Sequence, residues 1–327
     1  MYLGFDSQKT DKPPSTSPST NQHSIMQLQG VKVELEAKLS AAVLSEVISY
    51  VKAQQPKLWG ASKPRDFIQI TVLLVLYHDI TAIGYQALLK KIQLPYKISD
   101  KSLIHNTHVL RHLFSKWART VIKLESCVEW KANSRSANVP ASMPGVNLWT
   151  DSSDFKVQRS KGGRVKRSDH SFKLNRPGRR YLVFMDGKSH IRKVLGGYSP
   201  KVYDSHAVQL VKPWVEAHLT GGVVVADQHF ATAAKDIKGV KFFVPHKKPY
   251  NSKKRLAAGD LQDVGTLPAK KKKFNDELAH LRARMEQPFG WIKTCFMMLD
   301  KPWREDLDQM DALVEFAFGV YTRRKQI

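Results

Sequence analysis

The chain has 327 residues, enough for two domains, and its 42% of hydrophobic residues is typical of a globular protein. Its 53 Lys and Arg residues exceed its 29 Asp and Glu residues, and the net charge of +24 indicates a polyanionic partner. Nucleic acid is favoured over a membrane, because the sequence shows no bilayer-length apolar run, lipid anchor or secretion signal, and we expect an intracellular protein.

The first part of the chain is predicted to be a tail followed by helices. Residues 1–28 are rich in Ser, Thr, Pro, Gln and Asn, and we expect them to stay disordered. From residue 29 to 135, apolar residues at three- and four-residue spacing predict an all-α domain. Within it, a short helix over 82–92 precedes a second helix that Ser99 can cap, so the pair has the pattern of a helix-turn-helix.

The second helix of this pair combines an apolar stripe with a basic face. The stripe consists of Leu103, Leu110, Phe114 and Trp117. The candidate DNA contacts on the other side are Lys101, His105, His108 and Arg111. Any helical hairpin in a bundle has this pattern, so both DNA recognition and simple packing remain open.

Two short apolar runs in the second half of the chain each end in an aspartate. Residues 146–151 form a β-prone run that ends in Asp151, and residues 223–227 end in Asp227. Because aspartate has a low strand propensity, each is either a turn cap or a metal ligand. Asp154 follows closely and is an alternative to Asp151 as the functional acid of the first run.

The segments around these two runs predict a mixed sheet. Two apolar runs flank Asp186-Gly187, a strong hairpin pattern, so the first three strands form an antiparallel meander. A helix that Asp204 caps follows, running to about residue 218, and then come the strand at 223–227 and a fifth strand at 241–244.

This order of elements predicts an α/β fold. In its ribonuclease-H-like version, strands one and four are neighbours, so Asp151 and Asp227 lie at adjacent strand ends. We therefore predict a ribonuclease-H-like mixed five-stranded sheet with flanking helices over 145–327, preceded by the all-α helix-turn-helix-like domain.

Two lysine-rich segments follow the fifth strand. Such dense like charge stays solvated, and a plain surface loop, a nuclear-import signal and a contact with DNA phosphates are all open. The last is favoured, because the chain leaves the sheet close to the two aspartates. The candidate DNA contacts are Lys247, Lys248, Lys253, Lys254 and Arg255, followed by Lys270, Lys271, Lys272 and Lys273.

A long amphipathic helix that starts near Asp276 has three charged residues beside its apolar stripe. Arg282, Glu286 and Lys293 lie at i, i+4 and i+11. An ion pair between Arg282 and Glu286, worth a few tenths of a kcal/mol, is the structural alternative to a functional role. Pro288 is expected to bend or interrupt the helix directly after Glu286, since an interior proline costs about 3 kcal/mol.

The segment 282–293, RARMEQPFGWIK, resembles the block around the catalytic glutamate of DDE endonucleases of the Harbinger type and of related bacterial insertion-sequence transposases. Residues 171–175 and 196–205 resemble the blocks between the first two acids of that family. The resemblance covers about 146–300 and implies that Asp151, Asp227 and Glu286 are the catalytic and metal-binding residues. The Asp-Gly-Thr of the family is Asp151-Ser152-Ser153 here.

The resemblance also implies the chemistry and the partners. The three carboxylates would hold two Mg²⁺ or Mn²⁺ ions, about 3.5 to 4 Å apart, for cutting and joining DNA strands. Transposon ends and target DNA would be bound as duplexes, Arg282 and Lys293 would contact DNA, and a separate DNA-binding protein and a homo-oligomer are expected. We expect the nucleus in a eukaryote and otherwise cytoplasm with the nucleoid. A domesticated, catalytically silent DNA-binding protein and a nuclease without transposition are the alternatives.

Overall fold

In the computed structural model the first described helix begins at Thr20, so residues 20–28, which were expected to be disordered, are helical, and residues 1–19 lie outside the described residues. None of the described helices is long and apolar enough to cross a membrane. The structure describes residues 20–54, 66–92, 94, 98–123, 132, 138–158, 170–247 and 267–327.

Among the described residues, five helices with given bounds precede the first strand, and the other described helices alternate with or follow the strands. The early helices are α1 (Thr20–Leu39), α2 (Ala41–Ala53), α3 (Phe67–Thr81), α4 (Tyr85–Lys91) and α5 (Asp100–Val121). The later helices are α6 (Asp204–Leu210), α7 (Lys212–Leu219), α8 (Ala233–Asp236), α9 (Ala269–Cys295), α10 (Met297–Asp300) and α11 (Leu307–Gln326).

The strands form one mixed sheet in the order β4-β3-β1-β5-β6, with the short β2 paired to the start of β3. β1 is antiparallel to β3, and β3 is antiparallel to β4, which confirms the predicted meander. β5 runs parallel to both β1 and β6. The strands are β1 (Leu148–Lys156), β2 (His170–Ser171), β3 (Arg176–Asp186), β4 (Ile191–Tyr198), β5 (Val223–Val225) and β6 (Lys241–Phe243).

Helices cover both faces of this sheet, because side chains along a strand alternate between its two sides. Trp149 and Phe155 of β1 belong to one core, with α9 and α11, whereas Leu148 belongs to the other, with α6, α7 and α8. The neighbouring first and fourth predicted strands, now β1 and β5, confirm the ribonuclease-H-like α/β class. β2 is a strand that the sequence did not predict.

The N-terminal helices pack against the half of the chain that contains the sheet. Phe316 of α11 lies 4.8 Å from Phe114 and 5.6 Å from Trp117, ring centroid to ring centroid, and both partners are on α5. The same hydrophobic cluster includes Trp149 of the sheet. The predicted domains at 29–135 and 145–327 therefore share one core.

Local sequence patterns fixed some element ends and missed others. Ser99 caps α5 as predicted, since its Oγ accepts a hydrogen bond from the Ser102 amide at 3.1 Å. The helix expected to run on from 204 is divided into α6 and α7, with a proline in the first turn of α7. The predicted interruption at Pro288 is absent: α9 continues through this residue, which is buried.

Arg111, predicted to contact DNA, is instead a fully buried structural residue. Its guanidinium donates Nε to Asp79 at 3.2 Å and Nη2 to the same carboxylate at 2.5 Å, and it also bonds Glu305. Burial raises the pKa of Glu305, but hydrogen bonds from His78 and Arg111 lower it to about 2. Because a residue so enclosed cannot reach a phosphate, the DNA-contact prediction for Arg111 is wrong. The network joins α3 and α5 to the segment before α11.

We expect Asp79→Asn to lower the free energy of unfolding by about 3 kcal/mol or more, because it leaves a buried guanidinium without its bidentate partner. The matched control is Arg119→Gln, which removes the exposed ion pair with Glu315 and should cost less than about 1 kcal/mol. Urea unfolding of both variants measures the difference. Equal costs would contradict the buried-network interpretation.

Candidate active site

Asp151 and Asp227 follow paired positions on two neighbouring parallel strands, β1 and β5. The parallel ladder pairs Trp149 with Val225, and each aspartate lies two residues further along its strand direction. Neighbouring strands are about 4.8 Å apart, so the two backbones run close together here. The backbone of Asp227 is extended (φ −71°, ψ 163°), so it continues the line of β5. The predicted adjacency of the two strand segments is present.

Both aspartates are on the face of the sheet that α9 covers. Asp151 lies two residues after Trp149 on β1, and Asp227 lies two residues after Val225, so each aspartate points to the same face as that apolar residue. Trp149 and Val225 belong to the core that α9 covers. The sequence predicted that Asp151 ends a strand. It lies instead inside β1, which extends to Lys156. The extension is possible because Ser152 and Asp154 find polar partners on the opposite face.

Burial of the Asp151 carboxyl group raises its pKa to about 6. The Ser152 amide donates to its Oδ1 at 2.7 Å, and the charges of Lys173 and Arg282 also favour the ionised form, whereas the charge of Asp204 opposes it. Lys173 belongs to the 171–175 block and is exposed. It is a neighbour of the site that the sequence did not single out.

Asp227 has two partners. One oxygen accepts from the His229 amide at 3.3 Å, which caps a short 3-10 helix at Gln228–Phe230. The other accepts from Arg282 Nη2 at 2.5 Å, in an ion pair whose side chains are about three-tenths exposed. One oxygen of Asp227 therefore acts as the helix cap that the sequence analysis considered. Arg282 pairs with Asp227, and not with Glu286 as the structural alternative had it.

Glu286 is exposed, one helical turn after Arg282 on the same side of α9. Further along that side, Lys293 Nζ donates to Ser153 Oγ at 3.1 Å. Glu286 thus lies between two residues whose side chains reach the ends of β5 and β1.

The height of Glu286 along the sheet follows from two contacts of α9 with β1. Arg284 lies over the ring of Trp149 at 5.7 Å, and Lys293 meets Ser153. The nine-residue step along the helix is about 13.5 Å and the four-residue step along the strand about 13 Å, so the two elements run in parallel and in step. Glu286 is therefore level with the stretch between Trp149 and Asp151.

Asp154, the rival for the first acid, points to the opposite face of β1. Arg180 of β3 donates to both of its oxygens, at 2.6 and 3.0 Å, and Ser171 Oγ donates at 2.5 Å. This buried carboxylate is fully engaged, so it is a structural residue. Arg180 was missed by the sequence analysis, although a charged residue next to the apolar run of β3 is a detectable pattern.

Asp204 does not cap α6 as predicted. The N-cap position is Tyr203, and the Asp204 carboxylate accepts instead from Ser152 Oγ and, at 3.4 Å, from Arg180 Nη1. The prediction failed because a buried cation and hydroxyl compete for the same oxygens. Asp204 thereby ties the start of α6 to the residue next to Asp151.

The basic residues of the predicted helix-turn-helix have different positions on α5. Lys101 and His105 are exposed, whereas His108 is partly buried with its Nε2 3.9 Å from Glu305. The first two are available to a partner in this arrangement. Whether α4 and α5 recognise DNA remains a prediction.

The lysine-rich segments are described only in part. Lys247 is exposed where the chain leaves β6. Lys248, Lys253, Lys254 and Arg255 lie outside the described residues. Lys270, Lys271, Lys272 and Lys273 are exposed in the first turns of α9, which starts seven residues earlier than predicted.

Within the described ranges, no group of three or more His, Cys, Asp or Glu side chains is close enough to hold a metal ion. Asp151 and Asp227 follow paired positions of β1 and β5, and the third candidate, Glu286, is exposed on α9. The arrangement offers hard oxygen ligands of the kind that Mg²⁺ and Mn²⁺ prefer, but with Arg282 on one of them.

Comparison with known proteins gives one family. Its sequence model, described as DDE superfamily endonuclease, matches residues 150–321, more than half of the chain. No curated protein matches the chain. Among solved structures, one described as the crystal structure of a pre-cleavage Mos1 transpososome is similar at 10% identity, over 88% of this chain and 100% of that chain. Its TM-score of 0.17 is too low to carry an argument.

We expect Asp151→Asn to stabilise the protein at pH 7 by about 1 to 3 kcal/mol, because the folded-state pKa is raised. Below its unfolded pKa of 3.8 the carboxyl group is protonated in both states, and the stability present there is lost as pH rises through about 6. Asparagine avoids this loss and keeps the acceptor for Ser152. Unfolding measured from pH 3.5 to 7 should show the variant's advantage growing from near zero. A constant difference would contradict the assignment.

Proposed function

This chain belongs to the DDE superfamily endonucleases, and from that premise we propose that it is a transposase that cuts DNA phosphodiester bonds and joins DNA strands. Asp151, Asp227 and Glu286 are the proposed catalytic and metal-binding residues. The bound ions are proposed to be two Mg²⁺ or Mn²⁺ ions.

One observation carries the proposal: the parallel register of β1 and β5 brings Asp151 and Asp227 to the same height and the same face of the sheet. Two carboxylates at adjacent strand ends repel each other unless a cation is present. Arg282 supplies such a cation to Asp227 in this arrangement. A site that already attracts positive charge is suited to divalent ions.

The divalent ions would activate a water molecule or a DNA 3′-hydroxyl and would stabilise the departing oxygen. The residues of the chain provide the frame for that chemistry. Ser152 holds the Asp151 carboxylate through its amide. Lys293 fixes the end of β1 to α9 through Ser153 and the carbonyl of Asp154.

Arg282 has a second role in this proposal. Its guanidinium is partly exposed and held by a single carboxylate, and a DNA phosphate is an equally good partner for a guanidinium. Transfer of Arg282 from Asp227 to the phosphate frees the Asp227 oxygen that Arg282 holds, while the other still accepts from the His229 amide. Glu286 lies one helical turn after Arg282 on the same side of α9 and is the proposed third ligand.

The four lysines at the start of α9 support DNA as the substrate. Cations at a helix N-terminus oppose the helix dipole, so this placement lowers stability unless an anion binds nearby. Phosphates of a duplex, at transposon ends or target sites, are the proposed anions. An accessory DNA-binding protein, a homo-oligomer, and location in the nucleus or with the nucleoid complete the proposal.

A second candidate function is a catalytically silent DNA-binding protein derived from a transposase. The observation that favours it is the ion pair of Asp227 with Arg282, together with the exposed position of Glu286. In that case the charge and the fold serve DNA binding alone.

Asp227→Asn is expected to lower metal-dependent cleavage of a labelled DNA duplex at least about 100-fold, because the substitution removes a ligand charge. DNA binding in EDTA should stay within about twofold, since phosphate contacts dominate affinity. The matched control is Asp236→Asn, an exposed carboxylate on α8, which removes the same charge and should leave cleavage unchanged.

Full cleavage by Asp227→Asn would show that this residue is not a ligand. If the parent protein cuts no duplex in Mg²⁺ or Mn²⁺ yet binds DNA, the second candidate function is the correct one.

A further inference from the structure

A cleft of about 720 Å³ lies next to the paired aspartates, on the side of β6. Its walls come from three places: the turn after Asp227, the end of β6 with the residues that follow, and the start of α9. The volume is within the range of about 300 to 1,000 Å³ that is usual for small-molecule sites. The cleft is separate from the carboxylates themselves.

The walls of the cleft are aromatic. Phe274 of α9 lies 6.0 Å from Phe243 and 5.0 Å from His246, ring centroid to ring centroid. Phe243 and Phe274 are only partly buried, and His246 is exposed. Partly exposed rings that converge on a cleft are suited to stacking against a flat ring of a ligand.

The rim of the cleft is cationic. Lys235 and Lys247 are exposed lining residues, and Lys241 Nζ lies 4.6 Å from the centroid of the Phe243 ring. Among the described residues that line the cleft, none is acidic. The ligand that complements these walls and this rim has an aromatic ring and a negative charge.

The cleft is held in shape by Asn275. Its Oδ1 accepts from the His246 amide at 2.8 Å, and its Nδ2 donates to the His246 carbonyl at 3.0 Å. This two-bond clamp ties the chain after β6 to α9, and so fixes the distance between His246 and Phe274. The aromatic walls are therefore arranged before any ligand binds, which lowers the entropy cost of binding.

The cleft lies close in the fold to Asp227, where the proposed function places the DNA strand that is cut. Phe243 pairs with Val225 across the parallel ladder, and Asp227 follows Val225 by two residues. The cleft begins at Ala231, directly after the short helix that Asp227 caps. The cleft thus adjoins the turn that follows Asp227.

From this chemistry we infer that the cleft binds one unpaired base of a DNA strand next to the cleavage position. The base stacks on Phe274 and His246, and Lys235 and Lys247 hold the flanking phosphates. A duplex does not fit this role, because its base faces are covered by their neighbours in the stack and only its phosphates are offered. The inference deepens the proposed function, which it takes as its premise for the course of the strand.

The test uses the full chain in EDTA and a single-stranded oligothymidylate that carries one 2-aminopurine, whose fluorescence falls when it stacks. The parent protein is expected to quench the probe. Phe274→Leu, which keeps an apolar side chain, should abolish most of the quenching and weaken single-strand binding about 5- to 10-fold. Phe274→Tyr keeps the ring and should restore both. Duplex affinity should stay within about twofold for all three proteins.

The control for Lys247→Ala is Lys188→Ala. Lys188 is exposed in the turn between β3 and β4, beside the start of β1. Only the first is expected to weaken single-strand binding more than duplex binding. The inference is overturned if the parent does not quench the probe, if Phe274→Leu retains quenching, or if both DNA forms lose affinity equally. A protein that quenches but cuts no DNA would overturn the proposed activity and leave the cleft assignment in place.

Discussion

The site depends on a short parallel pairing between β1 and β5. Two ladder pairs, Leu148 with Val224 and Trp149 with Val225, fix the relative height of the two strands. A shift of one residue would turn one aspartate to the opposite face, because side chains alternate along a strand. Both cores hold this register, since Trp149 and Val225 are buried on one face and Leu148 and Val224 on the other. Packing on both faces therefore protects the alignment on which the chemistry relies.

Around this alignment, each face of the sheet has its own group of charged residues. On one face, Arg180 neutralises Asp154 and approaches Asp204, so the charges there are satisfied within the protein. On the other face, burial raises the pKa of the Asp151 carboxyl group, and Asp227 accepts from the partly exposed Arg282. The first arrangement builds the fold. In the second, the carboxylate oxygen of Asp227 that Arg282 holds becomes a proposed metal ligand when Arg282 moves away.

Patterns with local causes were predictable from the sequence. The antiparallel meander and the cap at Ser99 followed from turn residues and apolar periodicity, and the adjacency of the two aspartate strands followed from the ribonuclease-H-like strand order. The errors have tertiary causes. Arg111 is buried by carboxylates from α3 and from the segment before α11, which lies far along the chain. Pro288 is accommodated within α9 in a buried position. For Arg111, the partners that decide the outcome are distant in sequence, so the local pattern did not reveal them.

We propose that Asp151, Asp227 and Glu286 form one metal site. Iron(II) bound in place of Mg²⁺, with ascorbate and hydrogen peroxide, generates hydroxyl radicals that cut the backbone only near the ion, so the cut positions in the full chain test this assignment directly. We expect cuts near the end of β5, in the middle of β1 and around Glu286 on α9, all suppressed by excess Mg²⁺. Cuts confined to the lysine-rich start of α9, or cuts at β1 and β5 without any on α9, would contradict it.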